Sequence, residues 1–114
     1  MATTGIKGLL VETRDFEATK TFWTSLGFEC VFETDHGSGQ FTHPGGGPYV
    51  FVNQVDDTHE PITLHPILGV EDSARFAPEP APEFAKRWVK EHWGVMHALL
   101  RDPDGRNVAL DAPE

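Results

Sequence analysis

The sequence is poor in cysteine, in basic residues and in long apolar runs. Its single cysteine, Cys30, excludes an intramolecular disulfide and a cluster of thiolates for zinc. Nine lysines and arginines stand against eighteen aspartates and glutamates, and the resulting net charge of −9 disfavours nucleic acid and anionic membranes as partners. No apolar run is long enough to span a membrane, and no basic-then-apolar leader opens the chain. We therefore expect a cytoplasmic protein with neither a nucleic-acid nor a membrane partner.

The length of the chain limits the number of domains. A chain of 114 residues can bury one modest core, so we expect a single domain over residues 1–114. The order of the predicted elements repeats at a spacing of about fifty residues, which indicates a duplicated unit rather than a solenoid. We place the first module at about 5–56 and the second at about 62–112, each with the order strand, helix and three strands.

The first module contains one well-marked helix, in the segment "RDFEATKTFWTSLGFE". Its apolar residues recur at three-and-four spacing, Asp15 is placed to cap the N-terminus, and Gly27 suits the position just past the end. The β-branched and aliphatic runs predict strands at Ile6–Val11, Glu29–Glu33, Gly39–Thr42 and Pro48–Val55.

The second module has a helix that its prolines interrupt. In "EDSARFAPEPAPEFAKRW", Ala74, Phe76 and Phe84 hint at helical spacing. Three prolines within this segment forbid interior helical hydrogen bonds, so we expect a short or broken helix. The prolines are Pro78, Pro80 and Pro82, and the predicted strands are Ile62–Val70, Arg87–His92, Val95–Arg101 and Arg106–Leu110.

Several motifs together resemble a known family. Asp15 before an aromatic helix, "FWTSLGFE", "HPILGVED", "HWG" and "LLRDPDGRNVAL" are similar to segments of the vicinal oxygen chelate superfamily of glyoxalases, bleomycin-resistance proteins and extradiol dioxygenases. The resemblance runs from about Gly5 to Pro113. It implies an α+β fold of two βαβββ modules whose mixed sheet curls into a cup, often completed by a second subunit. It does not imply one activity, because the superfamily holds lyases, isomerases, dioxygenases and metal-free binders.

The resemblance also allows the metal-ligand positions to be checked. In the metal enzymes of the family, ligands fall at three obligatory points, which correspond to Gly8, His65 and Ala109 in this chain. A further ligand used by some members would fall near Phe51, where no acid or histidine lies between Pro48 and Val55. A catalytic divalent ion needs about three protein ligands, and one of the three obligatory positions has a donor side chain. We therefore expect no metal, no cofactor and no metal-dependent catalysis.

The remaining histidines form no ligand pair at a spacing that requires a metal site. We expect them to be solvated loop residues or packed hydrogen-bonding residues, and we expect His65 to be a polar group lining the cup. They are His36, His43, His59, His92 and His97.

Within the superfamily, "FWTSLGFE" and "HWGVMHALLRDPDGRNVAL" most resemble the bleomycin-resistance proteins. That resemblance implies an acidic homodimer that sequesters a cationic, planar-ringed drug by stacking and electrostatics, in a cup at or near the dimer interface, and hence a role in antibiotic resistance. Acidic loop residues, Asp35, Asp56 and Asp57, are suited to a cation, whereas "PEPAP" departs from the family pattern and leaves the ligand's identity open. The predicted ligand-binding residues are Phe41, Phe51, His65, Trp88 and Trp93.

Two alternatives remain open at this point. One is a metal-dependent lyase, isomerase or dioxygenase that uses His65 with ligands outside the family positions. The other is a vestigial cup in a protein that acts through contacts with a partner.

Overall fold

The computed structural model describes residues 2–60 and 62–114 and has the α+β fold class that the sequence predicts. Met1 and Pro61, which belong to the predicted domain, lie outside the described residues. The described part contains one α-helix, eight strands and one short 3₁₀ turn. In chain order they are β1 (Ile6–Thr13), α1 (Phe16–Ser25), β2 (Glu29–Glu33), β3 (Ser38–Thr42), β4 (Tyr49–Gln54), β5 (Leu64–Gly69), the 3₁₀ turn (Ser73–Arg75), β6 (Glu83–Lys90), β7 (Val95–Arg101) and β8 (Asn107–Pro113).

Helix α1 begins and ends where the sequence predicts. The Asp15 side chain accepts a hydrogen bond from the backbone N–H of Ala18 at 3.1 Å, which caps the helix N-terminus. Gly27 follows the helix with φ of +96°, a left-handed conformation that favours glycine. The helix buries Phe16 and packs Trp23 against the core, so its amphipathic pattern explains which side faces inward.

The chain divides into two compact units, and the N-terminal unit comprises Gly8–Leu64. Its strands lie in the order β2-β3-β4-β1, with β1 parallel to β4 and the other neighbours antiparallel. Helix α1 covers one face of these strands. The buried core there consists of Phe16, Phe41, Val50 and Val52.

The C-terminal unit comprises residues 2–7 and 65–114. Its strands lie in the order β5-β8-β7-β6, and β5 is parallel to β8 while the other neighbours are antiparallel. This is the same pattern as in the N-terminal unit, as expected of a duplicated module. The backbone N–H of Thr4 donates to the Gly69 carbonyl at 2.7 Å, which ties the N-terminal segment to β5. The core residues of this unit are Val70, Ala98, Leu110 and Ala112.

The second module has no α-helix among its described residues. Only the 3₁₀ turn at Ser73–Arg75 stands before the proline-rich segment, which confirms the predicted short or broken helix. The strand predicted at Arg87–His92 was wrong in its bounds, because β6 spans Glu83–Lys90. Phe84, assigned to helical spacing, instead pairs with Leu100 in the sheet. Its ring packs on Phe76 at 6.2 Å, and this tertiary contact overrides the local periodicity.

No helix in the described part of the chain is long and apolar enough to cross a membrane.

Candidate functional site

The first metal-ligand position of the family lies under an aromatic ring. Gly8 is buried in β1, and its register partner in β4 is Tyr49. A Cβ atom built on Gly8 would come within 2.5 Å of Tyr49 Cε1. Contacts that short do not occur between real carbon atoms, so the ring occupies the space that a ligand side chain at Gly8 would need.

Aromatic side chains line the face of the N-terminal unit that α1 does not cover. Tyr49 and Phe51 alternate with the core residues of β4, and Phe51 pairs with Gln40, the partner of Phe32. The rings of Phe32 and Phe51 lie 6.2 Å apart between centroids. Phe32 is 46% exposed and Phe51 is half-buried, so both offer ring surface to a ligand. We call Phe32, Tyr49 and Phe51 the aromatic face.

Phe41, the other predicted ligand contact in this unit, lies on the opposite side of the strands. Its side chain is fully buried, and its ring packs 6.4 Å from that of Phe16. Because the ring has no solvent-exposed surface, core packing accounts for it, and Phe41 does not belong to the aromatic face.

The Glu12 carboxyl and the Cys30 thiol, both in the N-terminal unit, have shifted pKa values. Burial raises the pKa of the Glu12 carboxyl, but hydrogen bonds from Thr63 and His59 outweigh burial and lower the pKa overall. Glu12 Oε1 accepts from the Thr63 hydroxyl at 2.7 Å, and Oε2 lies 3.0 Å from His59 Nε2. Burial raises the pKa of the Cys30 thiol, and the nearby Glu33 carboxylate raises it further. Cys30 is therefore unsuited to act as a nucleophile.

The other two metal-ligand positions lie in the C-terminal unit. Ala109 in β8 pairs with Ile67 in β5, and His65 lies two residues before Ile67, on the same face of the strands. Ala109 is 2% exposed and has only a methyl group, so its position has no donor atom and no room for one without repacking. Among residues 2–60 and 62–114, no three histidine, cysteine, aspartate or glutamate side chains come together in an arrangement that could hold a metal ion.

The same face of the C-terminal unit has a histidine–aspartate pair. His97 in β7 is the register partner of Asp111 in β8, and His97 Nδ1 lies 3.0 Å from Asp111 Oδ1. Lys7 Nζ lies 3.7 Å from the other carboxylate oxygen, Oδ2. The side chains of His97 and Asp111 are 22% and 13% exposed, so the pair is sheltered but still reached by solvent.

A carboxylate can only accept hydrogen bonds, so it fixes the tautomer of the imidazole. The Nδ1–H donates to Asp111, and in the neutral ring the free lone pair is then on Nε2. Nε2 takes part in none of the hydrogen bonds found within the described residues. The arrangement therefore presents a proton acceptor that a carboxylate orients.

Trp93 stands beside this pair, whereas Trp88 does not. Trp93 is 56% exposed in the turn between β6 and β7, and its ring centroid is 6.4 Å from that of His97. Trp88 packs against the core on the other side of the strands, 5.8 Å from the ring of Phe76. Of the predicted ligand contacts in the C-terminal unit, His65 and Trp93 thus share a side with His97, and Trp88 does not.

A shallow cleft of about 420 Å³ opens at the same end of the C-terminal unit. Lys7 and Asp111 both line it, so the ion pair borders a space large enough for a small molecule. Its other walls include Thr4, Gly69, Glu71 and Val95.

The sequence contains a signal for His97 and Asp111 that composition and motif spacing do not reveal. The turn "DPDG" sets the register of the β7–β8 hairpin, so that Arg101 pairs with Asn107. Counting outward from this pair by four residues on each strand gives His97 opposite Asp111. Tyr49 follows from a similar rule, because strand alternation places it on the same face as Phe51.

No family model matches the chain, and no curated protein sequence matches it significantly. Solved structures do match its fold. A glyoxalase/bleomycin resistance protein/dioxygenase superfamily member from Vibrio splendidus 12B01 has a TM-score of 0.71 at 16% identity, covering 92% of this chain and 96% of that one. Methylmalonyl-CoA epimerase from Mycobacterium tuberculosis has a TM-score of 0.73 at 14% identity, covering 98% and 89%. The Mn(II)-bound glyoxalase from Novosphingobium aromaticivorans has a TM-score of 0.70 at 19% identity, covering 97% of this chain and 39% of that chain.

The chain thus has the fold of the vicinal oxygen chelate superfamily, as the motifs predicted. The fold alone does not select an activity. One of the matched structures contains manganese, but the residues of this chain do not fit a metal at the three positions that the family resemblance assigns to ligands. The Tyr49 ring covers Gly8, and Ala109 has no donor, which leaves His65 as the one side chain with a donor atom.

Proposed function

We propose that the protein is a metal-free small-molecule binding protein of the bleomycin-resistance type, which sequesters an aromatic or cationic ligand without chemical turnover. The observation that carries the proposal is the closure of the first ligand position by Tyr49. A binding protein that needs no metal can fill that position with an aromatic side chain, whereas a metal enzyme needs a donor there.

The aromatic face supports an aromatic ligand. Exposed ring surface on Phe32 and Phe51 can stack with a planar ligand, and the two rings lie side by side in a tilted arrangement, 6.2 Å apart between centroids. The net charge of −9 attracts a cation over long range. Together these features favour a ligand with a planar ring and a positive charge.

The proposal is tested by titration calorimetry with bleomycin and with N-methylacridinium, a planar aromatic cation. We expect one molecule to bind per subunit and to be recovered unchanged after incubation. Phe51→Leu should weaken binding about tenfold, since a stacked ring contributes about 0.5–1.5 kcal/mol beyond its buried area. Phe22→Leu is the matched control, because Phe22 is 57% exposed on α1, which covers the other face. Absence of binding by every aromatic cation tested, or chemical conversion of a bound one, would contradict the proposal.

A metal assay tests the same proposal against the metal-dependent alternative. The protein is incubated with zinc, nickel, manganese or ferrous ions, desalted and subjected to elemental analysis. We expect no ion to be retained, and no difference between the wild type and His65→Ala. One ion per subunit that is lost in His65→Ala would favour a lyase, isomerase or dioxygenase.

Homodimerisation and drug resistance belong to the same proposal. Sedimentation of the purified protein should give twice the 12.6 kDa mass of the chain. Expression in a bleomycin-sensitive bacterium should raise tolerance to the drug, and Phe51→Leu should reduce that effect. A monomeric mass would contradict the proposed dimer. A strain that expresses the wild-type protein and is no more tolerant than the empty-vector strain would contradict the proposed role in resistance.

A further inference from the structure

We infer that His97, Asp111 and Lys7 form a binding site for the ionisable hydroxyl of a phenol, with His97 as the proton acceptor. The inference rests on the proposed small-molecule binding function and specifies the class of ligand that the C-terminal unit takes. It concerns a different unit from the one that contains the aromatic face.

The geometry of the three groups supports this assignment. Asp111 accepts from His97 Nδ1 at 3.0 Å through one oxygen and faces Lys7 Nζ at 3.7 Å through the other. The carboxylate therefore orients the imidazole through one oxygen and faces a fixed positive charge through the other. The Lys7 side chain is 44% exposed and the His97 side chain 22%, and the contact with Asp111 uses Nδ1 rather than Nε2 of the ring.

The mixed charges of the site suit a ligand that enters uncharged. The Lys7 ammonium repels a ligand ammonium group, and a ligand carboxylate would meet Asp111 and Glu71, which both line the cleft. A phenol enters uncharged, so it loses little hydration on binding, and it becomes negative only when its proton passes to His97, near the Lys7 ammonium. The exposed ring of Trp93, 6.4 Å from His97, is placed to stack on the phenol ring.

The proton transfer is balanced within these groups. The phenol O–H bond breaks, an N–H bond forms at His97 Nε2, and the electron pair stays on the phenolate oxygen. Asp111 stabilises the resulting imidazolium, and the Lys7 ammonium stabilises the phenolate. Lys7, Asp111, His97 and the phenol together carry zero net charge before and after the transfer, so the transfer does not change the net charge of the site.

The experiment compares 4-nitrophenol, whose phenolate absorbs visible light, with 4-nitroanisole, its methyl ether, which has no acidic proton. At a pH where free 4-nitrophenol is mostly neutral, excess protein should increase the phenolate band. His97→Gln should abolish this increase and weaken 4-nitrophenol binding about tenfold, as expected for the loss of a charge-assisted hydrogen bond. Asp111→Asn should lower the ionised fraction of bound probe, because an amide stabilises imidazolium less than a carboxylate does.

The controls separate this inference from the proposed function. His36→Gln makes the same chemical change in the turn after β2 and should behave as the wild type. 4-Nitroanisole should bind the wild type and His97→Gln equally, which also shows that the variant is folded. Three outcomes would each overturn the inference: bound 4-nitrophenol without a phenolate band, equal affinity of the wild type and His97→Gln for 4-nitrophenol, and no binding of 4-nitrophenol at all. Retained binding of N-methylacridinium in those cases would leave the proposed function standing.

Discussion

The ring of Tyr49 lies where a ligand side chain from residue 8 would project. A Cβ at Gly8 would lie 2.5 Å from Tyr49 Cε1. Because Cε1 is a side-chain atom and not a backbone atom, the Tyr49 ring can move to relieve the overlap. Tyr49 is half-buried and makes interactions of its own, so displacing it has a cost. Glycine at position 8 is thus required by packing, since Gly8 does not have a positive φ.

Gly8→Ala should destabilise the protein by about 1–3 kcal/mol, because the added methyl overpacks the space under the ring. In a Tyr49→Ala background the same change should cost under about 1 kcal/mol, since the ring is gone. Urea unfolding of the four proteins in this cycle measures the coupling. Additive effects of the two substitutions would show that the Tyr49 ring is not what excludes a side chain at Gly8.

The Cys30 thiol should react slowly with iodoacetamide in the folded protein. Burial and the Glu33 carboxylate raise its pKa above the usual value of 9.0, so less thiolate is present near neutral pH than in an unfolded chain. Mass spectrometry of the alkylated fraction over time, with and without urea, measures the difference. Lys20→Gln should slow the folded reaction further, because the Lys20 ammonium opposes the rise. A folded protein that reacts as fast as the unfolded chain would contradict this prediction.

At the scale of elements, local signals predicted some segments and missed others for identifiable reasons. Helix α1 was predictable because its cap, periodicity and terminal Gly27 agree with one another. Strand β6 was misplaced because Phe84 suits a helical spacing, while its pairing with Leu100 is a tertiary contact absent from any local window. The His97–Asp111 pair was predictable in principle, since it follows from the hairpin register, although its proximity to Lys7 was not.

The hydrogen bonds from Thr63 to the Glu12 carboxylate join β1 to the segment before β5, and they should weaken in acid. Glu12 has a lowered pKa in the folded state, so the stability it contributes is present above its unfolded pKa of about 4.5 and is lost as the pH falls through the folded value. Glu12→Gln should therefore destabilise the protein by about 1 kcal/mol at neutral pH, and by progressively less below about pH 4.5. Urea unfolding across this pH range measures the difference.

Glu29→Gln is the matched control for Glu12, because Glu29 is an exposed strand residue with the same side chain. Its effect on stability should be small and should not follow the same pH dependence. A Glu12→Gln effect that is the same at acid and neutral pH would show that Glu12 acts through packing rather than charge.

At the scale of the whole molecule, the excess of acidic residues acts on a charged ligand from a distance. Eighteen acidic against nine basic residues create a negative field that salt screens within about 10 Å at 0.1 M ionic strength. The field affects cations, whereas a neutral ligand does not respond to it. Ionic strength can therefore distinguish field effects from stacking.

N-Methylacridinium should bind progressively less tightly as sodium chloride is raised, and 4-nitroanisole should bind almost equally at every salt concentration. Calorimetric titrations in parallel salt series measure both slopes. Equal slopes for the cation and the neutral probe would mean that the net charge of −9 has no part in ligand selection.

The division of β1 between the two units has a consequence for synthesis on the ribosome. The N-terminal unit is continuous, Gly8–Leu64, and can form once that stretch has left the exit tunnel. The C-terminal unit needs residues 2–7 together with 65–114, so residues 2–7 are synthesised before the whole N-terminal unit and their partners after it. Residues 2–7 thus stay without their hydrogen-bond partners in β5 until Gly69 has also been synthesised, whereas the rest of β1 can already pair with β4.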